Sequence, residues 1–282
     1  MNACCLSKHG GGFGVTVLHI VVLAVVQGIT EFLPVSSSGH LVLVPIFTQW
    51  PDQGLVMDVA VHVGTLLAVM LYFWRDMMMM ALGLWRFLRG RKDLGAKLAG
   101  LIVLSTIPVI AAGYYLNKHY PDAFRSITVI GWTTLGFGIL LFIADKFGMT
   151  LRRVEHLRIG DALLIGIAQV LALIPGTSRS GITMSAARLI GMERPDAARF
   201  SMLMSIPVIL GAGTLKIREL IVQGNAQLTN DAFMAGGLAF IAALITIAVL
   251  MAWLRRASFT PFVIYRVILG GGLLAIAYGW LS

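Results

Sequence analysis

The chain has 282 residues, 58% of them hydrophobic and only 12% charged, against roughly a quarter charged in an ordinary soluble domain, so a water-soluble globule is excluded. The formal charge of +9 does not point to nucleic acid, because Lys and Arg lie in short stretches between apolar runs and not along one face of a soluble fold. Cys4 and Cys5 are neighbours near one terminus and make neither a framework of spaced disulfides nor a metal-ligand spacing.

In chain order, residues 1–14, closing on Gly10-Gly11-Gly12-Phe13-Gly14, read as a flexible lead-in, and residues 15–282 as a single membrane-embedded domain. Val15 to Phe47 is apolar at both ends but interrupted by Pro34-Val35-Ser36-Ser37-Ser38-Gly39. Leu55 to Trp74, Leu98 to Leu116 and Ile127 to Phe147 follow as uninterrupted apolar runs. Each approaches the roughly 20 residues that carry a helix across a bilayer's hydrocarbon core. Ile159 to Ile190 is broken like the first region, here by Pro175-Gly176-Thr177-Ser178-Arg179-Ser180-Gly181, and Phe200 to Leu215, Ala232 to Leu254 and Phe262 to Leu281 complete the set. Proline, glycine and serine in mid-run would leave backbone groups unpaired in lipid, so each break must be buried in protein or line a wet cavity. The prediction is an all-α integral membrane protein with six transmembrane helices and two re-entrant helix-loop-helix hairpins.

Positive charge orients this arrangement, because Lys and Arg in short loops stay cytoplasmic. Six lie between Arg75 and Lys97, four between Lys146 and Arg158, and Arg194, Arg199, Arg255 and Arg256 mark two further turns. With neither hairpin crossing, all four stretches share one side. The sparsely basic stretches Lys118 to Arg125 and Lys216 to Asp231 take the other side with both termini, so the first hairpin enters from outside and the second from the cytoplasm. The hairpins are also alike in sequence. At an offset of 142, Gln27 meets Gln169, Ser36 meets Ser178, Ser38 meets Ser180 and Gly39 meets Gly181. Inverted repeats with broken helices place a polar site near the midplane, where the repeats meet.

The chemistry-bearing residues sit in these breaks. Glu31 lies deep in the first hairpin, where an ionisable group is costly enough to be read as functional, and Gln27 is one helical turn earlier on the same face. Together they offer oxygen ligands for a hard divalent cation, Mg²⁺ or Ca²⁺; otherwise they only satisfy each other. Arg179 is stranded between two serines and is shaped to grip phosphate with two donors, or it merely balances Glu31. The turn before it, with the helix start near Thr183, would add backbone donors for an anion. His40 closes the first break as a candidate base or nucleophile, and Ser36, Ser37 or Ser38 could supply an attacking hydroxyl. His62, His9, His119 and His156 carry no catalytic reading. Arg266, Asp58 and Arg188 are expected to snorkel or cap near span ends, and Met77 to Met80 to pack adaptably at a membrane boundary.

The segment from Gln27 to His40, Gln-Gly-Ile-Thr-Glu-Phe-Leu-Pro-Val-Ser-Ser-Ser-Gly-His, resembles the first signature of the bacterial undecaprenyl-pyrophosphate phosphatases, often called bacitracin-resistance proteins. Pro175 to Thr183 resembles their second, and the likeness in span count and motif spacing covers nearly the whole chain. The resemblance implies an inner-membrane enzyme of interlocked inverted repeats. It would open its site to the periplasm and release inorganic phosphate from undecaprenyl pyrophosphate with a divalent cation, recycling the carrier lipid for cell-wall synthesis. By position, Gln27 and Glu31 fall in its acidic pair, Ser36, Ser37 and His40 in its hydroxyl-imidazole segment, and Ser178, Arg179, Ser180 and Thr183 in its phosphate loop. Gln27 stands where other members have Glu, which leaves less charge for a metal. The implied partners are the polyprenyl pyrophosphate lipid and the bilayer, and the sequence leaves open whether the chain pairs with a second copy as a homodimer. Ser38-Gly39-His40 and Ser178-Arg179 also resemble fragments of type-2 phosphatidic-acid phosphatases, but no histidine follows Arg179 at their spacing. The remaining alternative is a transporter or flippase of polyprenyl phosphate, since inverted broken hairpins are a transporter device.

Overall fold

The computed structural model describes residues 17–48, 50, 54–119, 126–223 and 226–280; the expected lead-in, residues 1–14, lies outside them. The described residues form eleven α-helices and no strand. The first half runs α1 (Val17–Thr30), α2 (Ser37–Thr48), α3 (Gly54–Tyr72), α4 (Trp74–Leu88), α5 (Leu94–His119) and α6 (Ile127–Phe147). The second runs α7 (Ile159–Val170), extended by a 3₁₀ turn to Leu173, then α8 (Arg179–Leu189), α9 (Arg194–Gln223), α10 (Ala226–Leu254) and α11 (Thr260–Ala277).

Both broken regions are helix-loop-helix hairpins, with the helices parting at Pro34 and at Pro175-Gly176 as the sequence predicts. Four helices, α5, α6, α10 and α11, are long and apolar enough to cross a membrane, and a fifth span is reached if the α3–α4 pair is counted as one. The expected span Phe200 to Leu215 lies inside α9, whose first turns carry Arg194, Asp196 and Arg199. The stretch from Arg75 is no loop: the chain bends by 77° after α3 and continues as α4, an amphipathic helix with Met80 and Gly83 buried and Trp74 and Trp85 exposed. The Arg75 and Arg89 guanidiniums lie 5.5 and 4.5 Å from the Trp74 and Trp85 ring centroids, so the basic groups lie beside apolar rings on the same helix.

The internal repeat is visible in the packing. α1 packs on α10 of the other half, and α7 on α5; α3 packs on α10 and α9 on α5; α6 and α11 pack on each other. Each contact is thus exchanged for its counterpart when the halves are swapped, which is an interlocked repeat. Close approach is permitted by glycine: a Cβ on Gly28 would meet Ala242 at 2.5 Å, and one on Gly166 would meet the Ser105 carbonyl at 2.4 Å. The hairpins insert from opposite ends. The start of α7 lies among basic residues, where Asp161 pairs with Arg152, while His19 in α1 touches Trp50, just before α3, with ring centroids 4.7 Å apart.

Arg188 at the basic end does not snorkel. It is 1% exposed and shares the Asp145 carboxylate with Arg194, at 3.2 and 2.7 Å, while its Nη2 caps the Asp145 and Gly148 carbonyls at the end of α6. A buried guanidinium needs this saturation, since a stranded charge costs several kcal/mol.

Candidate active site

The two breaks meet in the interior, and their turns are built alike. Ser36 and Ser178 have φ of 78° and 71°, the two non-glycine residues with positive φ among the described residues, and they are the pair related by the offset of 142. Each Oγ accepts its helix's third backbone N–H, from Gly39 at 3.3 Å and from Gly181 at 3.1 Å, an N-cap that satisfies a donor left over at the helix start. A left-handed serine costs on the order of 1–3 kcal/mol and persists where the surroundings dictate it.

Between the loops lies a cleft of about 230 Å³ lined by Glu31, Ser37, Ser38, Ser178 and Arg179, together with Asp58 and His62 from α3 and residues around Ile209 of α9. Asp58 and His62 lie in the first half of α3, toward the end away from the bend into α4 and its Arg75. Glu31, 7% exposed, is held on both oxygens. Arg179 Nη2 donates to Oε1 at 2.9 Å; Ser37 Oγ and Gln27 Nε2 donate to Oε2 at 2.8 and 2.9 Å. The charge-assisted bonds are the strong ones, so the carboxylate is fixed in position beside a hydroxyl.

The other expected site residues stand one layer back. Gln27 is fully buried, and its Oε1 has no hydrogen-bond partner among the described residues. Ser36 is 2% exposed and is used as a cap. Ser180 Oγ donates to the Leu33 carbonyl at 2.7 Å, tying the second loop to the first. Thr183 donates to the Arg179 carbonyl at 2.8 Å and meets Ser201 Oγ at 2.6 Å. His40 faces away from Ser37: Nδ1–H donates to the Ser36 carbonyl at 2.7 Å, which leaves Nε2 to accept from the Tyr265 hydroxyl at 2.5 Å.

Two residues read as bystanders from the sequence belong here. His62 Nε2 is 3.9 Å from Glu31 Oε2, and its Nδ1 donates to the Asp58 carbonyl at 2.6 Å. The available signal was an ionisable pair one turn apart inside an apolar run. Arg266 is the other: it is fully buried, not snorkelling, and reaches the loop backbones.

Among the described residues no three His, Cys, Asp or Glu are grouped to hold a metal ion. The donors at hand are the Glu31 carboxylate and the unpartnered Gln27 Oε1, with His62 nearby. That set fits a hard cation taking one or two protein oxygens and completing its shell with phosphate oxygens and water, the usual Mg²⁺ pattern.

A family profile described as Bacitracin resistance protein BacA matches residues 20–272. The chain is 54% identical over 269 residues to Undecaprenyl-diphosphatase 1 of Rhodospirillum rubrum, covering 93% of this chain and 95% of that protein. It is 51% identical over 265 residues to the Undecaprenyl-diphosphatase of Roseobacter denitrificans, covering 93% and 99%, and 47% identical over 265 residues to that of Hahella chejuensis, also covering 93% and 99%.

Proposed function

The chain belongs to the bacitracin resistance protein BacA family, and on that premise we propose that it hydrolyses undecaprenyl pyrophosphate to undecaprenyl phosphate and inorganic phosphate. The observation that carries the reading is the Ser37–Glu31–Arg179 constellation on the cleft wall: a hydroxyl bonded to a fixed carboxylate at 2.8 Å, with a guanidinium on that carboxylate's other oxygen. Of the three candidate serines and His40, Ser37 is the one joined to a carboxylate. As the terminal phosphate enters, Glu31 takes the Ser37 proton and Ser37 Oγ bonds to phosphorus. The bridging P–O bond breaks and undecaprenyl phosphate leaves with the proton that Glu31 had taken, which returns Glu31 to its carboxylate form. Arg179 faces the charge that develops on the phosphate oxygens. Water, deprotonated by Glu31, then attacks the phosphoserine, and Ser37 Oγ recovers that proton from Glu31 as inorganic phosphate is freed. The Ser178–Gly181 turn holds Arg179 in place. A divalent cation held by Glu31 and Gln27 would neutralise pyrophosphate charge.

Purified protein in detergent is expected to release phosphate from undecaprenyl pyrophosphate when Mg²⁺ or Ca²⁺ is present, and to lose most of that release in chelator. Full activity in chelator would remove the cation from the reading and leave the hydrolase class standing. No release under either condition would favour transport, which detergent abolishes along with any gradient.

We place the protein in the inner membrane with the cleft opening to the periplasm, because Asp58 and His62 of the cleft lie toward the end of α3 away from α4 and its Arg75. With Cys4 and Cys5 removed, Lys92→Cys should react with an impermeant thiol reagent only from the cytoplasm, and Lys118→Cys only from the periplasm. Labelling of both from one side would reverse the assignment.

A further inference from the structure

Arg266, on α11, is fully buried, and every hydrogen bond of its side chain ends on a backbone carbonyl. Nη1 donates to Pro34 at 3.1 Å; Nη2 donates to Gly176 at 2.9 Å and Thr177 at 3.0 Å, with Thr133 at 3.4 Å; Nε donates to Thr134 at 3.1 Å. Pro34 and Gly176 are separated by 142 positions, the offset that relates Ser36 to Ser178. One planar fork therefore grips the equivalent carbonyl in each of the two inverted loops and fastens both to the middle of α6. Room for it is left by two glycines: a Cβ on Gly138 would come within 2.9 Å of the Arg266 Cβ, and one on Gly181 within 2.9 Å of its Nη1.

Glu31 and Ser37 come from one loop and Arg179 from the other, and their 2.8–2.9 Å contacts depend on how the loops are registered. Besides the Glu31–Arg179 pair itself, the loops are joined by Ser180 to Leu33 and by this guanidinium. We propose that Arg266 is a positioning residue for phosphate release, setting the register of the two loops so that carboxylate, hydroxyl and guanidinium converge. Lysine cannot substitute, because a point charge with three donors on a flexible stem cannot hold five carbonyls in one plane. This rests on the phosphatase reading above.

Arg266→Lys is expected to lower kcat by about ten- to a hundredfold, the scale of an ångström-sized misplacement, with KM nearly unchanged because the groups that meet the lipid remain. The decisive measurement is coupling. In an Arg179→Lys background the same change should cost no more than about threefold, since the contact being aligned is already lost. A scaffold role would instead multiply the two losses. Gly138→Ala, on α6 and away from both loops, is the companion variant: it displaces Arg266 while keeping it, and should give the same kcat-selective loss should Arg266→Lys not fold. Unchanged turnover in Arg266→Lys, multiplicative losses, or unfolding of both variants would each overturn the proposal. Wild-type protein assayed alongside separates this from the premise: no release there sinks the phosphatase reading and the positioning role with it, whereas normal release there leaves any failure to Arg266 alone.

Discussion

Arg179→Met should reduce phosphate release about a hundred- to thousandfold, the usual cost of removing one donor aimed at charge that builds in a transition state. Arg179→Lys should recover only part of this, because it keeps the charge and loses the fork that can hold two phosphate oxygens. The structure sharpens the control. Arg179 Nη2 is 2.9 Å from Glu31 Oε1, and the two side chains are 14% and 6% exposed, so either single change strands a partly buried charge. Combining Arg179→Met with Glu31→Gln should therefore restore much of the thermal stability lost by the single variants while leaving release nearly absent. Normal turnover in that double variant would reduce the pair to a structural tie and defeat both catalytic assignments.

Ser37→Ala should lose at least about a thousandfold in turnover, as expected when the attacking group of a unit that acts together is removed, with melting temperature nearly unchanged. Ser36→Ala should behave differently. Ser36 is buried with φ of 78° and caps Gly39, so alanine there should cost about 1 kcal/mol or more in stability and reduce activity only through the displaced turn. Ser38 lines the cleft without touching Glu31, and Ser38→Ala should keep turnover within about tenfold. A phosphorylated residue trapped by rapid quench and located by mass spectrometry should be Ser37. Phosphate on Ser38 or His40, or a fully active Ser37→Ala, would transfer the nucleophile's role elsewhere.

The elements of the site that were legible in the sequence are those that break a rule of membrane segments. Pro34 and Pro175 interrupt apolar runs, and Glu31 and Arg179 place charge where lipid would not tolerate it; the prolines open the two loops, and the two charges meet on the wall of one cleft. What was hidden depends on depth, which sequence spacing does not report. Arg266 is six residues past the start of α11 and so reads as a side chain reaching back to the interface. The loops at Pro34 and Gly176 dip to its level, and their carbonyls, lacking helical partners, need its donors. His62 was obscured likewise, since its approach to Glu31 follows from how α1 packs beside α3. The helix α4 was hidden because basic residues mark a short cytoplasmic loop and the polar face of an amphipathic helix alike.

The likeness of the two loops ends where the chemistry begins. Carried across by the offset of 142, Glu31 falls on Leu173, and Arg179 falls back on Ser37. The second half thus has a turn of the same shape with a hydrocarbon side chain in place of the acid, and the first has a hydroxyl in place of the base-pairing cation. A duplicated framework that could in principle present two equivalent sites thus carries its acid and its guanidinium together in a single cleft. On the proposed reading, only a pyrophosphate headgroup presented at the mouth of that one cleft would come within reach of the acid and the guanidinium.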